Sequence, residues 1–123
     1  MAVIILKENI SKEDIDQARQ DYRDYIKITI DLAQKIVALG GEYHADAEGV
    51  LLKDYDSKQK DLWGGGYNIN LDKFETNAII NIRQPINDST EIINPEIRQK
   101  FLELVSLRLK DIKALLWIMS QTV

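Results

Sequence analysis

A change of period near Tyr25 constrains this chain more than any other feature. Ile15, Ala18 and Tyr22 recur at helical spacing behind Ser11 and Asp14, a pair with the pattern of a capping box. From Tyr25 onward the period falls to two, with Ile26, Ile28, Ile30 and Leu32 alternating with Lys27, Thr29 and Asp31. A helix that leads directly into a half-buried strand commits the chain to mixed α and β structure.

The remaining segments extend this reading. Ala2 to Lys7 has the length of a buried strand, and a turn at Ala33 to Lys35 returns Ile36 to Leu39 beside the alternating strand, the alternative being one helix over Asp31 to Leu39. Gly40-Gly41 is read as a bend within that returning strand, which continues through the alternating Glu42, His44, Asp46 and Glu48 to Lys53. Asp61 to Leu71 and Phe74 to Arg83 form a hairpin around Asp72-Lys73. Asn94-Pro95-Glu96 opens a last helix over about 95–121, with a capping side chain, Pro at the first helical position and an acid in the first turn. The expected fold is one α+β domain over 1–123, in the order β-α-β-β-β-β-α, with a mostly antiparallel meander and two helices packed on one face.

Composition narrows the function classes. With 123 residues the chain can bury a core without disulfide or metal, and zero Cys removes thiol catalysis and zinc fingers. A net charge of -4 works against nucleic-acid and anionic-membrane partners. No apolar run approaches a membrane span, and Ala2 to Leu6 is too short for a secretory core, so a cytoplasmic protein is expected. The charge is unevenly spread: Asn94 to Val123 has five basic and three acidic residues, +2, against eleven and seventeen elsewhere, -6.

On the strand parities above, the face away from the helices carries Lys27, Thr29, Asp31, Glu42, His44, Asp46, Glu48, Asn68, Asn70, Asn77, Asn81 and Arg83. A solvated face is expected to be polar, but Asp and Asn are disfavoured on strands, and their gathering around the only His points to a site. His44, Asp46 and Arg83 are the candidate catalytic set: an imidazole base, an acid to orient it and a bidentate anion holder. Asp31, Glu48, Asn68, Asn81 and Trp63 are candidate ligand contacts. His44 and Asp46, about 6.5 Å apart on a strand, are the candidate metal ligands, and a hard divalent ion is the cofactor they would suit. The leading expectation is a binding domain for a small polar or anionic ligand or a divalent ion. A hydrolase or lyase with His44 as general base is the alternative, with a solvated surface the plainest reading. The three consecutive glycines after Trp63 are not a phosphate loop, because no Lys-Ser/Thr pair or helix follows them.

The last helix carries Leu102, Leu109 and Leu116 at a spacing of seven beside its core stripe, with Leu107 and Trp117 nearby. A helix apolar on more than one side is either deeply buried or shared, so a homodimer contact is expected there unless the end folds back.

Gly40-Gly41-Glu42-Tyr43-His44-Ala45-Asp46-Ala47-Glu48, Asp61-Leu62-Trp63-Gly64 and Ile80-Asn81-Ile82-Arg83 carry a resemblance over about Val3 to Leu109. In these motifs the chain resembles a family of small bacterial single-domain proteins of unknown function. That likeness implies a bacterial protein and brings no activity with it. The chain differs from the family pattern at Asp54-Tyr55-Asp56, in a longer glycine run after Trp63 and in the loop after Gln84-Pro85.

Overall fold

The computed structural model describes residues 2–6 and 8–121. Its strands are β1 (Val3–Leu6), β2 (Tyr25–Asp31), β3 (Ile36–Gly40), β4 (Leu62–Asn68) and β5 (Lys73–Glu75). Its helices are α1 (Lys12–Ala18), α2 (His44–Asp54), α3 (Pro95–Arg108) and α4 (Ile112–Ser120), with 3-10 turns at Gln59–Asp61 and Ile79–Asn81. The five strands form one antiparallel sheet in the order β1-β3-β2-β4-β5, so the α+β class and the antiparallel sheet hold. The two expected hairpins, β2–β3 and β4–β5, are present, but β1 joins outside β3 and β2 takes the centre, so the sheet is not a simple meander.

Local chemistry sets the helix starts as the residues suggest. Ser11 Oγ accepts the Asp14 N–H at 3.2 Å while the Asp14 carboxylate accepts the Ser11 N–H at 3.0 Å. Asn94 Oδ1 accepts the N–H groups of Glu96 and Ile97 at 2.9 and 3.1 Å.

The period of two on β2 sorts the layers. Ile26, Ile28 and Ile30, with Val37 and Leu39 of β3, pack against Ile15 of α1, Phe101 and Val105 of α3 and Ile112 of α4. The opposite face carries a second, smaller core of Ala38 and Leu62 against Ala47 and Leu51. Those last two residues belong to α2, which corrects the reading of Glu42 to Lys53 as a strand.

The physical reason is composition within the segment. Ala45, Ala47, Glu48, Leu51, Leu52 and Lys53 are strong helix formers, and Ala47 and Leu51, four apart, share one helical face. Small residues at alternate positions imitate a strand period without supplying apolar bulk. Gly40 and Gly41, at φ 87° and 94°, end β3 and turn the chain out of the sheet rather than bending a strand. Helix α2 therefore covers part of the face expected to be open, and the sheet lies between helical layers.

Two further segments differ from expectation. Strand β5 stops at Glu75, and the chain from Thr76 to Ile92 is irregular, joined by the bridges Asn77↔Glu91 and Arg83↔Asn87. The expected single C-terminal helix breaks at Leu109–Asp111, where the Arg108 carbonyl accepts the Ile10 N–H at 2.9 Å and Leu109 and Ile112 both turn into the core. Among the described residues no helix is long and apolar enough to cross a membrane.

Candidate functional site

Helix α2 begins with His44 placed over β4. The imidazole Nε2 lies 2.6 Å from the Gly65 carbonyl oxygen, and because a carbonyl only accepts, Nε2 carries the proton. The neutral ring then keeps its lone pair on Nδ1, which has no protein partner among the described residues. Burial pushes the imidazole pKa below 6.5; the Gly65 bond opposes this shift and the nearby Lys27 charge adds to it. At neutral pH His44 is an uncharged hydrogen-bond acceptor.

Two glycines make the room for this arrangement. A Cβ at Gly64 would lie 2.6 Å from the Ala78 Cβ and 3.0 Å from His44 Cδ2, so glycine lets both groups close onto β4. At Gly66 a Cβ would collide with the Tyr25 hydroxyl and ring, so the Tyr25 side chain lies over the position where a side chain is missing. Burial, with the charge of the nearby Glu75 carboxylate, raises the Tyr25 phenol pKa.

Lys27, two residues along β2 from Tyr25, rests on aromatic faces. Its Nζ is 4.5 Å from the Tyr22 ring centroid and 5.6 Å from that of Tyr25. It is half-buried, and among the described residues it has no carboxylate within ion-pair distance. Tyr25, Lys27, Tyr43, His44, Glu75 and Asn77 line one open cleft of about 510 Å³, with an apolar wall of Ala45, Ala78, Ile79 and Ile80. That volume is in the range of small-molecule sites.

The other residues proposed from sequence lie elsewhere, engaged in holding the fold. The Asp46 carboxylate accepts the Tyr43 N–H at 2.9 Å at the start of α2, and on a helix it points about 200° away from His44 rather than beside it. Asp31 is buried at the β2–β3 turn, accepting from Ser57 Oγ at 2.6 Å and from the backbone and side-chain N–H groups of Gln34 at 2.9 and 2.7 Å. Burial alone would raise its pKa, but these bonds outweigh it and hold the carboxyl below 3.8. Asn68 Oδ1 accepts the Leu71 N–H in the β4–β5 turn.

Asn81 is fully buried and replaces a missing strand: it accepts the Gly64 N–H at 2.8 Å and donates to the carbonyls of Gly64, Thr76 and Thr90. Arg83 stacks at 4.1 Å over the buried Trp63 ring and donates to the carbonyls of Gln59, Leu62 and Ile80. Glu48 reaches Arg83 only through its charge, which with Asp61 opposes the downward shift that burial imposes on the guanidinium. Among the described residues no three His, Asp or Glu side chains come together as a metal site.

Of the predicted polar face, the structure therefore brings Lys27, His44 and Asn77 into one cleft. Sequence reasoning missed Tyr25 and Glu75. Tyr25 stands at the change of period, and its spacing of two from Lys27 is the signal that puts both on one face of β2. Asn87, whose amide donates to the carbonyls of Asn81, Ser89 and Glu91, was also missed as the second anchor of the irregular segment.

The fold and the cleft together define a small α+β protein in which an antiparallel sheet carries an open polar cleft beside a covering helix. Residues 4–108, from β1 to the end of α3, match the family model described as Protein of unknown function (DUF5674), and the chain belongs to that family. No match is found among curated proteins or solved structures.

Proposed function

We propose that this protein binds a small anionic ligand in the cleft between α2, β2 and the segment after β5. The observation that carries the reading is Lys27, a half-buried ammonium held between two tyrosine rings without a carboxylate partner among the described residues, in the same cleft as His44. A desolvated cation of this kind attracts an anion, and the neutral imidazole beside it can accept one hydrogen bond or take up a proton when the anion arrives.

The chain has a single His, so its imidazole C–H signals are unambiguous in proton NMR. Titration with inorganic phosphate and with succinate is expected to move the His44 signals and raise its pKa, and Lys27→Met is expected to abolish both effects. His44 signals that stay in place at millimolar levels of both anions would remove the reading.

A second reading concerns another surface. Trp117 and Ile118 of α4 and Leu107 of α3 are 67%, 43% and 53% exposed, and large apolar side chains left exposed on the last two helices suit contact with a second copy of this chain. Light scattering tests it: a dimer that Trp117→Lys converts to monomer supports the contact, and a monomeric parent chain removes it.

A further inference from the structure

The geometry points to a two-pole ligand for this cleft: a short aliphatic zwitterion, with its anionic group at Lys27 and its ammonium group at Glu75. The inference rests on the anion reading above and adds a second charged end to it.

Strand register supplies the placement. Lys27 on β2 is paired with Gly66 on β4, and Gly66 is paired with Glu75 on β5. Directly paired residues project to the same side of a sheet, so Lys27 and Glu75 share a face, two strand spacings or about 10 Å apart at their Cα atoms. Gly66 contributes no side chain between them, and the Tyr25 hydroxyl lies in that gap. Among the described residues Glu75 has no cation within ion-pair distance, and a carboxylate with about four acceptor positions can receive an ammonium group.

Cation and anion are thus held apart by an uncharged spacer instead of neutralising each other as an ion pair. Asn77 adds an amide at the Glu75 end, and Ala78, Ile79 and Ile80 supply an apolar wall along the cleft. Ile79 is 78% exposed, which makes it available to the methylene groups of a ligand that joins the two poles.

Calorimetric titration with four probes of matched length tests the inference: 4-aminobutanoate, butanoate, succinate and 1,4-diaminobutane. On the parent chain 4-aminobutanoate is expected to bind at least tenfold tighter than each of the others. Glu75→Gln is expected to abolish the advantage of 4-aminobutanoate over butanoate, and Lys27→Met to weaken both. The comparison of probes on the parent chain needs no variant. Succinate or butanoate binding as tightly as 4-aminobutanoate overturns the two-pole ligand, and Lys27-dependent succinate binding then leaves the anion reading standing. Equal binding of 1,4-diaminobutane also overturns it. If no probe binds in a Lys27-dependent way, the two-pole ligand falls, and inorganic phosphate titrated beside them then decides the anion reading.

Discussion

The imidazole of His44 donates from Nε2 to the carbonyl oxygen of Gly65 at 2.6 Å, a contact that joins the first residue of α2 to the middle of β4. This bond holds the ring in one orientation and directs its remaining nitrogen away from the strand. Gly64 leaves space for the ring edge on the same strand. His44 and Gly65 are 21 positions apart in the sequence, and only the packing of α2 onto the sheet brings them together.

His44 is expected to titrate below 6.5 in the folded chain, because burial outweighs the favourable Gly65 bond. The unfolded chain then takes up its proton first as pH falls. Stability should therefore decline as pH drops through about 6.5 and level off below the folded-state value. Urea unfolding across this range should show that slope in the parent and a flatter profile in His44→Gln. A parent profile that rises on acidification would contradict the shift.

Asn81→Ala is expected to cost about 3 kcal/mol, since it leaves the buried N–H and carbonyl of Gly64 without their side-chain partner and releases the carbonyls of Thr76 and Thr90. Asn81→Asp keeps the acceptor and loses the donors, so it should cost at least as much. Hydrogen exchange should locate the loosening at residues 76–92; a change below about 0.5 kcal/mol in both variants would refute the anchoring role.

Glycine substitutions should have opposite signs at two positions. At Gly66 a Cβ displaces Tyr25, so Gly66→Ala should cost about 1–3 kcal/mol and weaken anion binding in the cleft. Gly49 sits exposed within α2 with no heavy atom within 4 Å of its Cβ position, so Gly49→Ala should stabilise by about 0.5–1 kcal/mol. Thermal unfolding of the two variants side by side is sufficient to test the contrast.

Arg83→Lys keeps the charge but loses the planar stacking and the several donors of the guanidinium. A loss of about 1–2 kcal/mol is expected, with a change in the fluorescence of Trp63, the buried one of two tryptophans. The Trp117→Phe background isolates that signal. Unchanged emission and stability would show that the stacking contributes nothing.

Much of the architecture was legible from local chemistry. The alternation from Ile26 to Leu32, the capping pair Ser11 and Asp14 and the Asn94-Pro95 start each depend on neighbours within four residues, and each appears as expected. The segment from His44 to Asp54 was misread because its alternation is built from Ala and Gly, whose small side chains carry almost no burial signal. Asp31 and Asn81 stand out as residues disfavoured on strands and Arg83 as an anion holder; Asp31 does lie on β2, whereas Asn81 lies in a 3-10 turn and Arg83 in the irregular segment after it. Their partners are backbone groups of distant segments, so the cause is structural anchoring and could not be separated from ligand binding by residue type.

The sequence by itself determined the class: an antiparallel sheet with an isoleucine-rich face, helices to cover it, and no sulfur chemistry, because period, propensity and composition act through near neighbours. Tertiary structure decided where the polar residues go. Folding places α2 over part of the second sheet face, leaves Lys27 without a carboxylate within ion-pair distance among the described residues and sets Glu75 opposite it across Gly66. Those relationships depend on strand order and on the space left by missing side chains, which no local pattern encodes.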